Sequence, residues 1–282
     1  MEVFLETTTV VDLLFKERAT TEPIKAILDT YDVWYSSQYV RMEIKRGVLR
    51  HFVYLHNKAV ECKTFAEVQT CISALTSTTQ KNKLGTILKA IEGFFVHFER
   101  VQLSSLPNDK RPAEFLKTML AAFLRVRIKR FWTAFDRLVD VVLDGAECYK
   151  YRFVLSPPQF DGKLFDNTLP NCDRFKPGIC RLRELCRDNN AALSAIHSHL
   201  KDIENPDLET VKRISAIKEV LRLPKRDIPQ KTCWRMGDAV LVLEAPSSAH
   251  ILNGNCKHYD PICQAAGKIA ICYRRPGRVA QP

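Results

Sequence analysis

The apolar pattern near the two ends of the chain predicts one α/β unit. Val3-Phe4-Leu5 is a short run of β-branched and aromatic character, typical of a buried strand, and residues 10–15 begin an apolar helix. Residues 32–35 and 249–252 predict two further short strands, and residues 267–271 an edge strand. These segments predict a single sheet assembled from both ends of the chain.

The middle of the chain has a different periodicity. Apolar residues recur at helical spacing, with few strand signals, over residues 64–75, 81–98, 112–143, 179–200 and 208–223. The pattern therefore predicts an α/β domain formed by residues 1–62 and 229–282, with a large all-α insertion at 63–228. The fold class that follows is α/β.

Two acidic residues hold positions in the predicted elements that suggest a binding site. Glu6 directly follows the first strand, at the carboxyl end where open α/β sheets bind ligands. Glu43 shares one face of a predicted helix over 38–58 with Val40 and Ile44, so it points inward. A buried carboxylate needs a metal ion or a basic partner, because burying an unpaired charge is costly.

A purely structural role stays open for Glu43 and for a third acid, Asp238. Glu43 could pair with Arg41, Arg46 or Arg50. Asp238 lies in the first turn of a helix that begins near residue 234, where the helix dipole favours a negative charge.

Composition adds a candidate partner. The 282 residues include 43 Lys and Arg against 32 Asp and Glu, a formal net charge of +11, which favours a polyanion such as RNA or DNA. A chain that is simply basic is the alternative. No apolar run approaches the roughly 20 residues of a membrane span, and no signal-peptide pattern opens the chain. We therefore expect a cytoplasmic protein that does not act at a membrane.

The ten cysteines are then expected to be reduced thiols. Cys172, Cys180 and Cys186 do not have the paired C-x-x-C spacing of a structural zinc site, so free thiols are the favoured interpretation.

One stretch of the middle segment combines basic and aromatic residues. Arg125, Arg127, Lys129 and Arg130 alternate with Phe123, Phe131, Trp132 and Phe135. Basic groups beside aromatic rings can contact phosphates and stack on bases, which makes these four basic residues candidates for nucleic-acid binding. The commoner arrangement is an amphipathic helix whose aromatics pack in the core.

Four motifs, in order along the chain, resemble those of PIN-domain nucleases. The opening run from Val3 to Thr8, followed by residues 11–14, is similar to the family's first strand and helix. Residues 37–47, with Glu43, resemble the helix that carries the second acid; Gly237-Asp238-Ala239 resembles the third acidic position; residues 251–259 resemble the final strand and loop. The resemblance covers about residues 1–60 and 229–275, and it implies a PIN-like three-layer α/β/α domain around a central, mostly parallel sheet.

The resemblance implies a metal-dependent ribonuclease that cleaves single-stranded RNA. It implies that Glu6, Glu43 and Asp238 bind Mg²⁺ or Mn²⁺ through their carboxylates, since these hard cations prefer oxygen ligands. Thr7 or Thr8 would position a water or a phosphate, and Asn255 would stand at the fourth acidic position. RNA is the commoner substrate in this family, and DNA is the alternative. The resemblance is also consistent with an inhibitory protein partner.

Two departures from the family pattern support another interpretation. Glu6 stands where the family usually has Asp, and Asn255 is neutral where a fourth acid often stands. Asn253 is the other candidate for that position, and Asp260 could compensate. The alternative function is a catalytically weakened PIN-like module that binds nucleic acid or a protein partner.

Overall fold

The computed structural model describes residues 1–16, 18–75, 81–102, 112–146, 157–166, 181–222 and 228–274. The chain divides into two compact units. The first comprises Met1–Glu43, Phe135–Leu155 and Pro170–Pro282; the second comprises Ile44–Ala134 and Ser156–Leu169. These bounds differ from the predicted division after residue 62 and before residue 229, because much of the middle segment belongs to the first unit.

A five-stranded sheet forms the centre of the first unit. Its strands are β1 (Glu2–Leu5), β2 (Val33–Ser37), β3 (Val141–Leu143), β4 (His250–Asn253) and β5 (Ala270–Cys272). The order across the sheet is β3-β2-β1-β4-β5, and every neighbouring pair is parallel. The predicted α/β class with a parallel sheet is therefore confirmed, and the two ends of the chain do meet, as β1 and β4.

Both faces of the central strands are covered. Val3, Phe4 and Leu5 are consecutive and fully buried, as are the last three residues of β4, 251–253. Because consecutive strand residues point to opposite faces, such runs indicate a sheet covered on both sides. The arrangement is compatible with three layers, α/β/α.

Thirteen α-helices accompany the sheet in the described residues. They are α1 (Thr7–Phe15), α2 (Arg18–Leu28), α3 (Gln38–Ile44), α4 (Arg50–Glu61), α5 (Phe65–Ser73), α6 (Lys81–Gln102), α7 (Pro112–Leu138), α8 (Leu182–Asp188), α9 (Asn190–Lys201), α10 (Leu208–Arg222), α11 (Gln230–Arg235), α12 (Gly237–Glu244) and α13 (Cys256–Ala265). A π-helical turn, Lys45–Leu49, joins α3 to α4.

The prediction of one helix over 112–143 is wrong at its end. Helix α7 stops at Leu138, and Val141–Leu143 forms β3, which pairs with β2. Asp140 fixes the start of this pairing, because its backbone N–H donates to Trp34 O and its carboxylate accepts from Trp34 N. The segment predicted to be all-α therefore contains a strand. The sequence does not reveal it because a three-residue apolar run does not distinguish strand from helix by periodicity.

In the second unit, α7 is amphipathic. Leu124, Ile128 and Phe131 are buried at helical spacing, and Trp132 is also buried. The packing interpretation of the aromatic residues is therefore confirmed for Phe131 and Trp132, which are not available to stack on bases.

The expectation that all cysteines are reduced is wrong. Cys256, at the start of α13, and Cys272, at the end of β5, form a disulfide with their Cα atoms 5.5 Å apart. Parallel pairing of β4 with β5 places Asn253 beside Cys272 and so brings the start of α13 to the end of β5, a proximity that the sequence separation of the two cysteines does not reveal. Cys186 is buried, whereas Cys172 and Cys180 lie outside the described residues.

No helix in the described part of the chain combines the length and the apolar character needed to cross a membrane.

Two isoleucines test whether the central strands carry the stability of the first unit. Ile251 in β4 is fully buried, whereas Ile269, just before β5, is 57% exposed. Ile251→Ala should lower the free energy of unfolding by about 2–5 kcal/mol, since it leaves a cavity in a packed core. Ile269→Ala should change it by less than about 0.5 kcal/mol. Urea denaturation of both variants measures the difference, and equal losses would contradict the burial of β4.

Candidate active site

The candidate site lies where β1 and β4 end. The chain leaves β1 toward β2 on one side of the sheet, and β4 pairs with β1 on the other side. Such a point of divergence opens a crevice at the carboxyl ends of parallel strands, the usual ligand position in open α/β sheets. Glu6 follows β1 and Gly254 follows β4, so both lie at this point.

The carboxylate of Glu6 joins the two strand ends. Its Oε2 accepts from Thr8 N at 2.7 Å, and its Oε1 accepts from Thr9 N at 2.8 Å and from Gly254 N at 3.1 Å. Glu6 is therefore the N-cap of α1 as well as a bridge to the end of β4. It is 1% exposed.

Burial dominates the acidity of Glu6. Loss of solvation raises its pKa to about 7, although the hydrogen bonds from Thr8, Gly254 and Thr9 act in the opposite direction. The negative charge of Asp238 raises the pKa further. Glu6 is therefore a carboxyl group that exchanges its proton near neutral pH and that a nearby cation would ionise.

Glu43 reaches the site from the last turn of α3. Its carboxylate accepts the hydroxyl hydrogen of Thr7. A Cβ atom placed on Gly237 would lie 2.5 Å from Glu43 Oε1, so the carboxylate lies against the first residue of α12. Any side chain at position 237 would force the carboxylate of Glu43 to move. Glycine here allows Glu43 to approach the helix turn that carries Asp238.

Asp238 lies in the first turn of α12, as predicted. It forms an ion pair with Arg213 of α10, and its Oδ2 lies 3.6 Å from His258 Nδ1. Burial alone would raise the pKa of Asp238, but the adjacent imidazole of His258 and the positive charge of Arg213 lower it below its ordinary value. Asp238 is therefore a carboxylate at neutral pH.

Tyr259 is affected by the charges of all three acids. Its side chain is 1% exposed. Its pKa is raised well above the ordinary value by burial and then by the negative charges of Asp238, Glu6 and Glu43. Three carboxyl groups from separate chain segments therefore lie near enough to one phenol to act on it electrostatically.

The fourth position is occupied by amides. Asn253 is fully buried, and its Nδ2 donates to Ile271 O of the neighbouring strand β5 at 3.3 Å, so its side chain contributes to the packing of the sheet. Asn255 begins α13, and its Nδ2 lies 2.8 Å from His258 Nδ1. Of the two candidates, Asn255 is the one that contacts the charged cluster.

Sequence reasoning missed three charged residues of this cluster, Asp207, Arg213 and His258. Asp207 caps α10 by accepting from Thr210 N at 2.8 Å and lies 3.2 Å from His258 Nε2. Arg213 pairs with Asp238. An Asn-Pro-Asp sequence at 205–207, before a helix, signals a cap, but no sequence signal identifies Arg213, because its partner is 25 residues away.

Asp12 belongs to a separate cluster. Its carboxylate is buried and accepts from Tyr273 Oη at 2.8 Å and Arg274 Nη2 at 2.7 Å. Lys16 pairs with it at 2.5 Å. The charge of Asp12 is therefore compensated within its own group of residues.

The predicted nucleic-acid-binding residues lie on α7 in the second unit. Arg125, Lys129 and Arg130 are exposed, and Arg127 is half-buried. The Arg125 guanidinium and the Lys129 ammonium lie 4.4 and 4.7 Å from the centroid of the Phe160 ring. This basic face of α7 is thus at least partly exposed, with two aromatic rings against it: that of Phe160 and that of Phe123, whose centroid lies 4.9 Å from the Arg127 guanidinium.

The acids do not form a ready-made metal site. Within the described ranges, no three His, Cys, Asp or Glu side chains are grouped so that they could hold a metal ion. Each of the three acids accepts a hydrogen bond from the chain. The carboxylate oxygens are suitable ligands for a divalent cation, but in this structure they are hydrogen-bonded to other groups of the chain.

Comparisons with models of known families, with curated proteins and with solved structures give no match to this chain.

The acidity of Glu6 predicts a change of stability with pH. The unfolded chain loses this proton near 4.5 and the folded chain near 7, so the unfolded state binds fewer protons between these values. The free energy of unfolding should therefore fall as pH rises through this window, by up to about 3 kcal/mol. Glu6→Gln does not titrate and should remove this fall.

Urea denaturation between about pH 4.5 and about pH 8 measures the slope. The control is Glu204→Gln, at an exposed position, which should retain the slope of the wild type. Because the Glu6→Gln substitution also removes hydrogen bonds, only the slope is compared. An unchanged slope in this variant would contradict the assignment.

Proposed function

We propose that the first unit is a PIN-like domain and that the chain is a metal-dependent endoribonuclease acting on single-stranded RNA. The observation that supports this proposal is geometric: Glu6 joins the ends of β1 and β4, and Glu43, held by Thr7, lies against Gly237, the residue before Asp238. The convergence lies at the carboxyl end of an all-parallel sheet, where such folds bind ligands.

The chemistry of the acids suits a hard divalent cation. Carboxylate oxygens are the preferred ligands of Mg²⁺ and Mn²⁺, and such an ion would neutralise charge on a phosphodiester and acidify a water. Within the described part of the chain, Glu6 Oε2 accepts one hydrogen bond, from Thr8 N, so it keeps a lone pair for a cation. Glu6, Glu43 and Asp238 would hold the metal.

The chain orients these acids before any ligand binds. Main-chain N–H groups hold Glu6, and the Thr7 hydroxyl holds Glu43. Thr8 contributes its N–H to Glu6, which leaves its hydroxyl to position a water or a phosphate. Asn255 would add a neutral amide at the fourth position. Fixed orientation favours catalysis because it is established before the reaction begins.

RNA is the proposed partner, with DNA as the alternative polyanion. The net charge of +11 and the exposed basic residues of α7 support this proposal. An inhibitory protein partner and a cytoplasmic location remain predictions. The Cys256–Cys272 disulfide weighs against a reducing compartment, because disulfides rarely persist there.

A second candidate function is a weakened PIN-like module that binds RNA or a protein without cleaving it. The ion pair between Arg213 and Asp238 favours it, because the third acid already has a positive partner within the chain. The longer side chain of Glu6 and the neutral Asn255 favour it as well.

Cleavage of a mixed pool of single-stranded RNA in Mn²⁺ separates the two functions. We expect cleavage by the wild type and a loss of about 100-fold or more in Asp238→Asn, since removing even an outer partner of a metal ligand costs about 10–100-fold. The matched control, Asp202→Asn at an exposed position, should cleave as the wild type does. Equal cleavage by Asp238→Asn would contradict the nuclease, and RNA binding without cleavage would favour the second function.

Binding of an uncleavable single-stranded RNA tests the basic face of α7. Replacing both Arg125 and Lys129 by alanine should weaken binding and make the dependence of log affinity on log salt shallower by about 0.7 per lost phosphate contact. Lys218→Ala, at an exposed position in the first unit, is the control. An unchanged salt dependence in the double variant would show that this face does not contact RNA.

A further inference from the structure

Arg213 is the least satisfied charged residue near the candidate site. It lies in α10 and is 5% exposed. Its Nη2 donates to Asp238 Oδ2, whereas its Nε and Nη1 are buried and have no hydrogen-bond partner in the described part of the chain. Buried donors without acceptors cost free energy, so Arg213 stays buried only because Asp238 compensates its charge.

The backbone of α10 sets the position of Arg213. Asp207 caps this helix through Thr210 N, and its carboxylate also binds Lys257 Nζ at 2.8 Å and His258 Nε2 at 3.2 Å. These contacts attach the start of α10 to α13. The guanidinium is therefore presented to Asp238 by a fixed helix.

Asp238 itself is still accessible to a small ion. Its side chain is 22% exposed, although that of Arg213 is 6% exposed. A cation that binds Asp238 would share its carboxylate with the Arg213 guanidinium. Two positive charges on one carboxylate repel each other strongly in a partly buried site.

We infer that the guanidinium of Arg213 is the resident counter-cation of Asp238, and that a divalent cation binds this carboxylate only in competition with it. The inference rests on the proposed function in one respect: the competing ion is the one that the three acids would hold. Arg213 thereby sets how much divalent cation the site requires. It also accounts for acids that converge without being grouped as metal ligands in the described residues.

Mn²⁺ titration without RNA, followed by the electron paramagnetic resonance of the free ion, tests the competition. Arg213→Met should bind Mn²⁺ at least about tenfold more tightly than the wild type, because the competing charge is gone. Arg213→Lys keeps a positive charge and should stay close to the wild type. Arg222→Met, at an exposed position in the last turn of the same helix, is the matched control and should not change the affinity.

Two further measurements keep the test decisive. Adding Asp238→Asn to Arg213→Met should abolish the gain, since the carboxylate that the metal needs is lost. If Arg213→Met unfolds without metal, Mn²⁺ should restore its folded state, because the ion replaces the missing charge at Asp238. Failure of Mn²⁺ to refold it would overturn the inference.

The remaining outcomes separate this inference from the proposed function. Mn²⁺-dependent cleavage by the wild type, with no tighter binding in Arg213→Met, would overturn the inference and leave the nuclease standing. Tighter binding in Arg213→Met, with no cleavage by the wild type, would support the inference and favour the second function. Absence of Mn²⁺ binding in both proteins would overturn both.

Discussion

Parallel pairing of β1 with β4 is the constraint on which the candidate site depends. The register places Phe4 beside Ile251 and Leu5 beside Leu252, so the residues that follow the two strands must meet. Glu6 lies where they meet. Its carboxyl group accepts one hydrogen bond from a backbone N–H at the start of α1 and another from the residue after β4. One acidic side chain thus caps a helix, joins two distant segments and places a negative charge at the crevice. Buried strands on both sides of the pair fix that geometry.

Gathering acids at one place creates a charge problem, and the chain answers it differently for each acid. Burial leaves Glu6 with a pKa near neutrality, so part of its charge is removed by a proton. Glu43 is hydrogen-bonded to Thr7. Asp238 is held ionised by Arg213 and its histidine neighbour in α13. These three arrangements are what a cation would have to replace, because carboxylates brought together raise one another's pKa unless positive charge offsets them. On the proposed function, the chemistry of the site would therefore depend on competition between the internal positive charge and a bound metal ion.

Local patterns predicted the parts of this structure that local forces determine. The strand before Glu6, the inward direction of Glu43 on the α3 helix and the first-turn position of Asp238 all follow from apolar spacing and helix-start rules. Features that depend on long-range contact were missed. Strand β3 is too short to differ in pattern from a helix end, and the disulfide between α13 and β5 exists because β4 pairs with β5. Arg213 approaches Asp238 only after α10 packs, and nothing in the spacing of these two residues indicates a pair.

The central claim is that three carboxylates from separate segments share one cation-accessible crevice at the carboxyl end of the sheet. Anomalous diffraction from crystals soaked in Mn²⁺ tests it most directly, because the signal locates the ion without reference to activity. The account predicts a peak within coordination distance of the carboxylates of Glu6, Glu43 and Asp238, with the Arg213 guanidinium displaced from Asp238. A peak at other residues, or an unbroken Arg213–Asp238 pair with no ion at a saturating Mn²⁺ concentration, would contradict it.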